Sequence, residues 1–238
     1  MIPTGSSYGY EPVGIIARSP SVAIPRSDRQ AGGRTVSEAS TRTARDARPA
    51  AQRVRDAAKE LFYRQGIRAT GVEEVCRVAG TTKMSLYRAY PSKDALVEAI
   101  LREDCESAAC TYAAAMAEGV PPRERPLAYV RAAADVLRQP GFRGCPMGLA
   151  IAEFPDPDHP ARKVADAEKR ATRDRLRRLC AEAGADDAAG LGDVLLLLLE
   201  GAFTAAPYLG NQEAATALEA AAERLLATGL TPAATAGP

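Results

Sequence analysis

Residues Thr70 to Lys93 form the stretch that most constrains what this chain can fold into. Gly80 lies in the middle of it, where a left-handed residue ends a helix at the lowest cost,. A second short helix is expected over residues 83–90. A helix, a tight glycine turn and a helix predict a helix-turn-helix, whose second helix lies in the major groove of DNA. Apolar residues of the first helix recur at i, i+3, i+4 and i+7, as Val72, Val75, Cys76 and Ala79,.

Side-chain caps are predicted at the start of both helices. Thr70 is expected to cap the first helix, and Glu73, three residues later, would complete a reciprocal capping box,. The first helix would then begin at Gly71. Thr81 or Thr82 is expected to cap the second helix.

The composition favours helices over sheets. Aromatic residues make up only 5% of the 238 residues, tryptophan is absent and alanine is abundant,. Hydrophobic residues (46%) and charged residues (26%) occur in ordinary proportions for a chain that buries a core,. We therefore predict an all-α protein, with an N-terminal three-helix DNA-binding domain and a C-terminal helical domain.

The positive charge is concentrated near the helix-turn-helix. The chain has a net charge of +1, but residues 51–95 carry nine Lys and Arg against five Asp and Glu. Residues 1–50 carry seven against four, which leaves −6 for residues 96–238. This distribution favours nucleic-acid binding by the N-terminal half.

Three segments are predicted from changes in pattern along the chain. Residues 1–49 mix Pro, Gly, Ser, Thr and Arg without a sustained period, which predicts a disordered basic tail,. Such a tail is either inert or a non-specific arm for DNA phosphates. Residues 50–94 are predicted to form the DNA-binding domain. Residues 95–230 contain further helical patterns broken at Pro and Gly residues, and are predicted to form the second domain.

The last two predicted helices, about 188–208 and 212–227, indicate a dimer interface. The first is apolar almost all round, and the second has small residues on more than one side,. Such a pair can meet its symmetry mate in a four-helix interface, so we expect a homodimer. The most apolar run, Val194 to Leu199, is far below the roughly 20 residues of a membrane helix, and no membrane association is expected.

Residues suited to catalysis, metals or cofactors are sparse. The single histidine, His159, follows Asp156 and Asp158 in a Pro-rich turn, which is more typical of a cap than of a metal site,. The five cysteines match no paired zinc or redox spacing, and no secretory leader pattern opens the chain, which favours a cytoplasmic location,. We expect no enzyme activity, no cofactor and no metal. Cys145, beside Arg143 in a glycine-containing loop, fits either redox sensing or packing.

A second basic region lies between Lys169 and Arg178. It contains six Lys and Arg residues on a predicted amphipathic helix. A second nucleic-acid surface is one interpretation. We favour the other, a solvated face of the helix.

The stretch Val54 to Leu101 resembles the N-terminal DNA-binding domain of TetR-type transcriptional regulators. The motifs that carry the resemblance are AAKELFYRQGIRATGVEEV and AGTTKMSLYRAYPSKDAL. The segment RGCPMGLAIAEFPDPDHP is also similar to a stretch found in one branch of that family. The resemblance implies a homodimer, an all-helical effector-binding and dimerisation domain over residues 95–230, and repression relieved by a small molecule.

The resemblance also assigns DNA contacts position by position. Lysine donates to guanine, serine pairs with either base type, methionine meets a thymine methyl, and hydroxyls at helix N-termini bind phosphate. Leu86 is expected to pack in the core, and core packing is also an alternative for Tyr87. The predicted positions are Lys83, Met84, Ser85 and Tyr87 in the major groove, and Thr70, Thr82, Arg88 and Lys93 at the helix ends and phosphates.

The effector site is predicted only as a set of large side chains in the C-terminal domain. Core packing is the alternative role for each of them. The set is Tyr112, Tyr129, Phe142, Met147, Phe154 and Phe203.

The sequence therefore favours a sequence-specific DNA-binding transcriptional regulator. We expect a repressor that binds a palindromic double-stranded operator and is released by a small, mostly apolar effector of unknown identity. The alternative is a ligand-binding or protein-interaction module on the same fold that does not bind an operator.

Overall fold

A computed structural model describes residues 48–116 and 119–230 of the chain. These residues form helices and no strand, which confirms the all-α prediction. The predicted tail over residues 1–49 lies almost entirely outside the described residues. The helices are α1 (Ala50–Gln65), α2 (Val72–Ala79), α3 (Lys83–Ala89), α4 (Lys93–Ala115), a 3-10 turn (Pro122–Glu124), α5 (Arg125–Leu137), α6 (Pro146–Glu153), α7 (Pro160–Glu182), α8 (Ala188–Leu209) and α9 (Asn211–Gly229).

The chain divides into two compact units, each built from separate stretches of sequence. Among the described residues, the motif unit contains 48–106 and 145–170, and the second unit contains 107–116, 119–144 and 171–230. The domain boundary predicted after residue 94 does not coincide with this division. Helix α4 continues from the motif unit into the second unit, and α6 belongs to the motif unit although it follows α5 in sequence.

The motif unit has its own apolar core. Helices α1 to α4 each contribute side chains to it, and Leu86 is fully buried there, as predicted. Met147 and Ala150 of α6 are buried in the same core, which explains why this helix groups with the motif unit. The other large side chains that are fully buried in this core are Val54, Leu61, Val75, Leu96 and Val97.

The second unit is built around the antiparallel neighbours α8 and α9 and helix α5. Helix α9 packs against both α8 and α5. Tyr129 and Leu137 of α5, Leu176 of α7 and Leu195 of α8 are fully buried in this core. Gly210 takes a positive φ of 99° between α8 and α9, a conformation that glycine adopts without strain,. The two last helices are therefore those predicted from the sequence, with Pro207 inside the final turn of α8.

Helix α8 is also long and apolar enough, judged by length and composition, to cross a membrane. Core helices of soluble proteins pass the same test, so the property is weak support for a membrane span. Only 22% of its most apolar window is buried inside this chain, so much of the helix surface is open to a partner.

Candidate nucleic-acid interface

A left-handed glycine links α2 to α3. Gly80 has φ 60° and ψ 44°, and the backbone N–H of Thr81 donates to the carbonyl of Cys76 at 3.0 Å. This is the hydrogen bond of a Schellman motif, which ends a helix and redirects the chain within one residue. A residue with a Cβ is strained at this φ, so glycine fixes the sharp turn. The predicted helix-turn-helix is confirmed.

The caps of the two helices differ from each other. Thr82 caps α3 as predicted, since its Oγ1 accepts a hydrogen bond from the backbone N–H of Ser85 at 3.2 Å. The Thr70 prediction is wrong. Helix α2 begins at Val72 with Gly71 as its N-cap residue, and no side chain caps it.

Thr70 serves the turn before α2 instead. Its hydroxyl donates to the carbonyl of Gly66 at 2.8 Å, and its side chain is completely buried. This hydrogen bond satisfies the buried hydroxyl and a turn carbonyl together,. Its hydroxyl is therefore not available to a DNA phosphate in this structure.

Helix α3 presents a mixed polar and apolar face to solvent. Met84 is 73% exposed and Tyr87 is 47% exposed, while Leu86 between them is fully buried. Lys83 and Arg88 are also exposed. An exposed apolar patch rimmed by polar residues is typical of an interaction site. Within two turns, this face offers an ammonium (Lys83), a thioether (Met84), a phenol (Tyr87) and a guanidinium (Arg88).

Lys83 is held by an acidic neighbour from α2. Its ammonium donates a hydrogen bond to the carboxylate of Glu73, and both side chains are well exposed. This hydrogen bond, together with the charge of Glu73, raises the pKa of Lys83. The same hydrogen bond from Lys83 lowers the pKa of Glu73. Both groups are therefore ionised at neutral pH, and Glu73 competes with any DNA acceptor for Lys83.

Lys93, another predicted phosphate contact, is partly buried. Its ammonium lies 5.8 Å from the centre of the Phe62 ring,. Burial lowers the pKa of Lys93, and the nearby charge of Glu153 opposes that effect. Ser92 precedes it and caps α4, since its hydroxyl accepts a hydrogen bond from the N–H of Ala95 at 3.0 Å.

The structure groups most of the predicted DNA-binding residues on one helix. Lys83, Met84, Ser85, Tyr87 and Arg88 all lie on α3, preceded by Thr82. The hydroxyls of Thr82 and Ser85 lie 3.1 Å apart, so each already has a polar neighbour. Thr70 and Lys93 lie outside this helix. The sequence reasoning missed the pairing of Glu73 with Lys83, although their opposite charges were the available signal.

The predicted effector residues fall into two groups. Tyr112 and Tyr129 stack with ring centres 4.1 Å apart, and Phe142 and Phe203 pack 5.5 Å apart, all in the second unit. Met147 and Phe154 instead belong to the motif unit. The structure therefore does not bring the six side chains together in one compact unit, because α6 packs in the motif-unit core.

His159 has a structural role. Its Nδ1 accepts a hydrogen bond from the N–H of Ala161 at 3.2 Å, and its ring stacks on Phe154 at 3.9 Å. The capping prediction for His159 is confirmed. Within residues 48–116 and 119–230, no group of three or more His, Cys, Asp or Glu side chains is placed to hold a metal ion.

Cys145 has a basic neighbour in the motif unit. Lys169 of α7 donates a hydrogen bond to its Sγ at 3.4 Å. The choice between redox sensing and packing for this thiol stays a prediction.

Arginines in the basic run of α7 are engaged in ion pairs. Arg173 and Arg177 each donate two hydrogen bonds to the carboxylate of Asp193, with N–O distances of 2.6 to 2.8 Å. Arg175 donates to the hydroxyl of Tyr129 at 3.3 Å. Internal pairing of these arginines agrees with the interpretation that the run is not a second nucleic-acid surface.

The arrangement defines a helix-turn-helix DNA-binding protein, and comparisons with known proteins identify its family. The family model for bacterial regulatory proteins of the tetR family matches residues 54–100. The HTH-type transcriptional regulator YjdC of Escherichia coli (strain K12) is 28% identical over 145 residues, which cover 60% of this chain and 76% of YjdC.

Two solved structures extend the similarity over most of the chain. A TetR-family transcriptional regulator from Streptomyces coelicolor superposes with a TM-score of 0.74 at 28% identity, covering 77% of this chain and 97% of that one. A protein assigned to the same class from Streptomyces avermitilis is 32% identical, with a TM-score of 0.61 and coverage of 74% and 99%. The chain belongs to the TetR family and is a DNA-binding transcriptional regulator.

Proposed function

We propose that this regulator binds a palindromic double-stranded operator as a homodimer and acts as a repressor that a small, mostly apolar effector releases. The single observation that supports operator reading best is the exposed face of α3, with Lys83, Met84 and Tyr87 directly after the left-handed Gly80. A recognition helix reads bases through donors and apolar groups of this kind. Arg88 and the N-terminus of α3 then suit phosphate oxygens.

The homodimer is supported by the exposed side of α8. Leu197 and Tyr208 are 70% and 76% exposed, and Val194 and Leu209 are exposed as well. Gly201 lies between Leu197 and Tyr208, and a Cβ added there would meet nothing within 4 Å. An apolar stripe with a small residue at its centre suits close packing against the same helix of a second copy. We therefore propose that the dimer interface lies on α8 and α9. Because its proposed target is an operator, the protein is proposed to act in the cytoplasm.

The proposal of an apolar effector is supported by the aromatic side chains of the second unit. The stacked pair Tyr112 and Tyr129 and the pair Phe142 and Phe203 lie in its core. Aromatic side chains with few charges recognise apolar ligands. Release follows if such a ligand binds better to the conformation in which the two α3 helices do not fit adjacent major grooves.

Salt titration of operator binding tests the proposal. DNA selected from a random pool is bound to the full chain. The dissociation constant is measured from about 50 to about 200 mM salt, a range that includes the physiological ionic strength of about 150 mM. The logarithm of the association constant should fall with a slope of about −0.9 per phosphate neutralised. Binding as a monomer, or binding that ignores salt, contradicts the proposal. Failure to bind any DNA selectively would favour the interaction-module alternative.

A further inference from the structure

The turn between α1 and α2 is fixed by a carboxylate from a distant part of the sequence. Glu153, the last residue of α6, accepts a hydrogen bond from the backbone N–H of Ile67 at 2.9 Å and another from that of Arg68 at 2.7 Å. Each of the two carboxylate oxygens accepts one of these hydrogen bonds. The turn is therefore tied to a helix that begins 79 residues after Ile67 in the sequence.

The fit between Glu153 and the turn is close. Gly66, just before Ile67, has a φ of 99°, and a Cβ built there would lie 3.3 Å from Oε1 of Glu153. A side chain at position 66 would be strained by this φ and would crowd the carboxylate. Ile67 is buried, so its amide has a fixed position from which to donate,.

Helix α6 holds Glu153 in place from the other side. Ala150, one helical turn before Glu153, is fully buried in the core of the motif unit, and Met147 is almost fully buried there. Because residues three apart are neighbours on a helix surface, this buried face leads directly to the carboxylate. The position of α6 in the core therefore sets the position of the two acceptor oxygens.

The turn leads into the helix-turn-helix. Only Ala69 to Gly71 separate the Glu153 contacts from the start of α2 at Val72. In helix-turn-helix proteins the first helix of the motif crosses the DNA backbone and sets how the recognition helix enters the groove. A shift of the turn would change the orientation of α2 and α3 on DNA.

The chain path also connects Glu153 to the rest of the molecule. The second unit ends at Gly144 in this part of the sequence, and α6 is the first helix after it. Among the described residues, the chain also passes between the two units within α4 and within α7, so α6 follows one of three such crossings. Glu153, at the far end of α6, contacts the turn that leads into α2.

We infer that Glu153 is a positioning residue for operator binding: its carboxylate holds the α1–α2 turn through the N–H groups of Ile67 and Arg68, and thereby sets the orientation of α2 and α3. This inference rests on the proposed operator binding. It predicts that removal of the carboxylate weakens specific binding although Glu153 does not contact DNA.

The sign of the effect separates positioning from simple electrostatics. Glu153→Gln removes a negative charge from the motif unit, which by charge alone strengthens binding to DNA. Glutamine also replaces one acceptor oxygen by an NH₂ group that faces an N–H donor, so the turn loses one of its two hydrogen bonds. Positioning therefore predicts operator binding about 5- to 30-fold weaker, as expected for loss of a hydrogen bond to a charged acceptor.

The test compares three variants of the full chain on the selected operator and on random-sequence DNA. Glu153→Gln removes the charge, and Glu153→Asp keeps the charge but shortens the side chain. Glu98→Gln is the matched control, because Glu98 lies on α4 in the same unit and pairs only with Arg102 among its described contacts. Each protein is assayed at a temperature at which circular dichroism shows it folded.

The expected result is weaker operator binding for both Glu153 variants, with random-sequence DNA bound within about twofold of wild type or more tightly. Hydrogen–deuterium exchange of peptides that cover residues 66–71 should be faster in both variants, and unchanged in the Glu98→Gln control. Operator affinity of Glu153→Gln equal to or higher than wild type overturns the inference. So does faster exchange throughout the motif unit, which would indicate a general loss of stability. If the wild-type chain itself fails to discriminate the selected operator, the proposed function fails instead.

Discussion

Helices α3 and α8 both leave a face exposed, but the two faces differ in chemistry. The exposed side of α3 combines Met84 and Tyr87 with Lys83 and Arg88. The exposed side of α8 has large apolar side chains around Gly201 and no Lys or Arg in the whole helix. Exposure alone does not tell what covers a helix. Donors and cations interleaved with apolar groups fit the base edges and phosphates of DNA, whereas an apolar stripe fits another protein surface.

The ion pairs of α7 and α3 also differ. Arg173 and Arg177 in the second unit each donate two hydrogen bonds to the same carboxylate, that of Asp193. Lys83 in the motif unit has one exposed carboxylate partner, Glu73, on the face proposed for DNA. A surface that binds an anionic partner needs cations that can leave their partners within the protein. A single exposed ion pair such as Lys83–Glu73 contributes little stability, so its lysine is easily transferred to a phosphate or a base.

The largest effect is expected from removing the reading face of α3. The double variant Lys83→Ala and Tyr87→Ala should bind the operator at least about 100-fold more weakly, since each good base contact contributes about 1–3 kcal/mol. Fluorescence anisotropy with labelled operator measures the change. The control is Arg178→Ala on α7, an exposed residue whose loss removes one positive charge from the second unit without changing a residue of α3, α8 or α9. If the double variant binds the operator as tightly as wild type does, α3 does not form the DNA interface.

A charge on the exposed face of α8 should separate the copies. Leu197→Glu places an ionised side chain in the proposed interface, where an unpaired charge cannot be buried. Sedimentation should shift from dimer to monomer, and operator affinity should fall about 10- to 100-fold because one half-site is then bound at a time. The control is Ala109→Glu, which adds the same charge at an exposed position of α4. A Leu197→Glu protein that remains dimeric would place the interface elsewhere.

Release of Lys83 from Glu73 should strengthen DNA binding. Glu73→Gln removes a negative charge from the proposed interface and frees the ammonium, so affinity for the operator and for random DNA should rise about 2- to 10-fold. The gain should be largest at low salt, because exposed charges are screened. Parallel titrations at two salt concentrations measure it. Weaker binding of the variant would show that Glu73 orients Lys83 productively.

The smallest effect is expected at the arginine pair of α7. Hydrogen bonds from Arg173 and Arg177 hold the pKa of Asp193 well below its usual range. A lowered pKa means that the ionised carboxylate contributes stability above the unfolded-state pKa of 3.8, and that this contribution is lost as pH falls through the folded-state pKa,. Asp193→Asn should therefore lower Tm by at most about 3 °C at pH 7, because exposed pairs contribute little.

Calorimetry at several pH values checks the sign of the Asp193 prediction. The difference in Tm between wild type and Asp193→Asn should narrow as pH falls below the ordinary carboxyl pKa of 3.8. Asp174→Asn, at an exposed position of the same α7 helix, is the control and should leave Tm nearly unchanged. Operator affinity should not change in either variant, since these residues lie in the second unit.

Local features of the motif were predictable from the sequence, and contacts between distant segments were not. Gly80 and Thr82 act within a few residues of themselves, and the structure places both as predicted. Thr70 also has the sequence context of a cap. Its buried side chain instead donates a hydrogen bond to the carbonyl of Gly66, four residues earlier.

The role of α6 illustrates what the sequence pattern could not supply. Position in the C-terminal half of the sequence groups Met147 and Phe154 with the effector residues, but both side chains pack in the core of the motif unit. The hydrogen bonds of Glu153 to Ile67 and Arg68 join residues more than 80 positions apart. Helical periodicity identifies the buried face of α6 but not the core into which that face packs.

Selection of bound DNA from a random pool is the most direct test of the contrast between α3 and α8. The full-length chain is incubated with the pool, bound molecules are amplified and sequenced over several rounds, and the enriched sequences are aligned. If α3 reads bases and α8 pairs two copies, the enriched site will be an inverted repeat whose half-site centres lie a whole number of helical turns apart, about 10 base pairs per turn. Absence of enrichment, or a single half-site without a symmetric partner, would contradict the account.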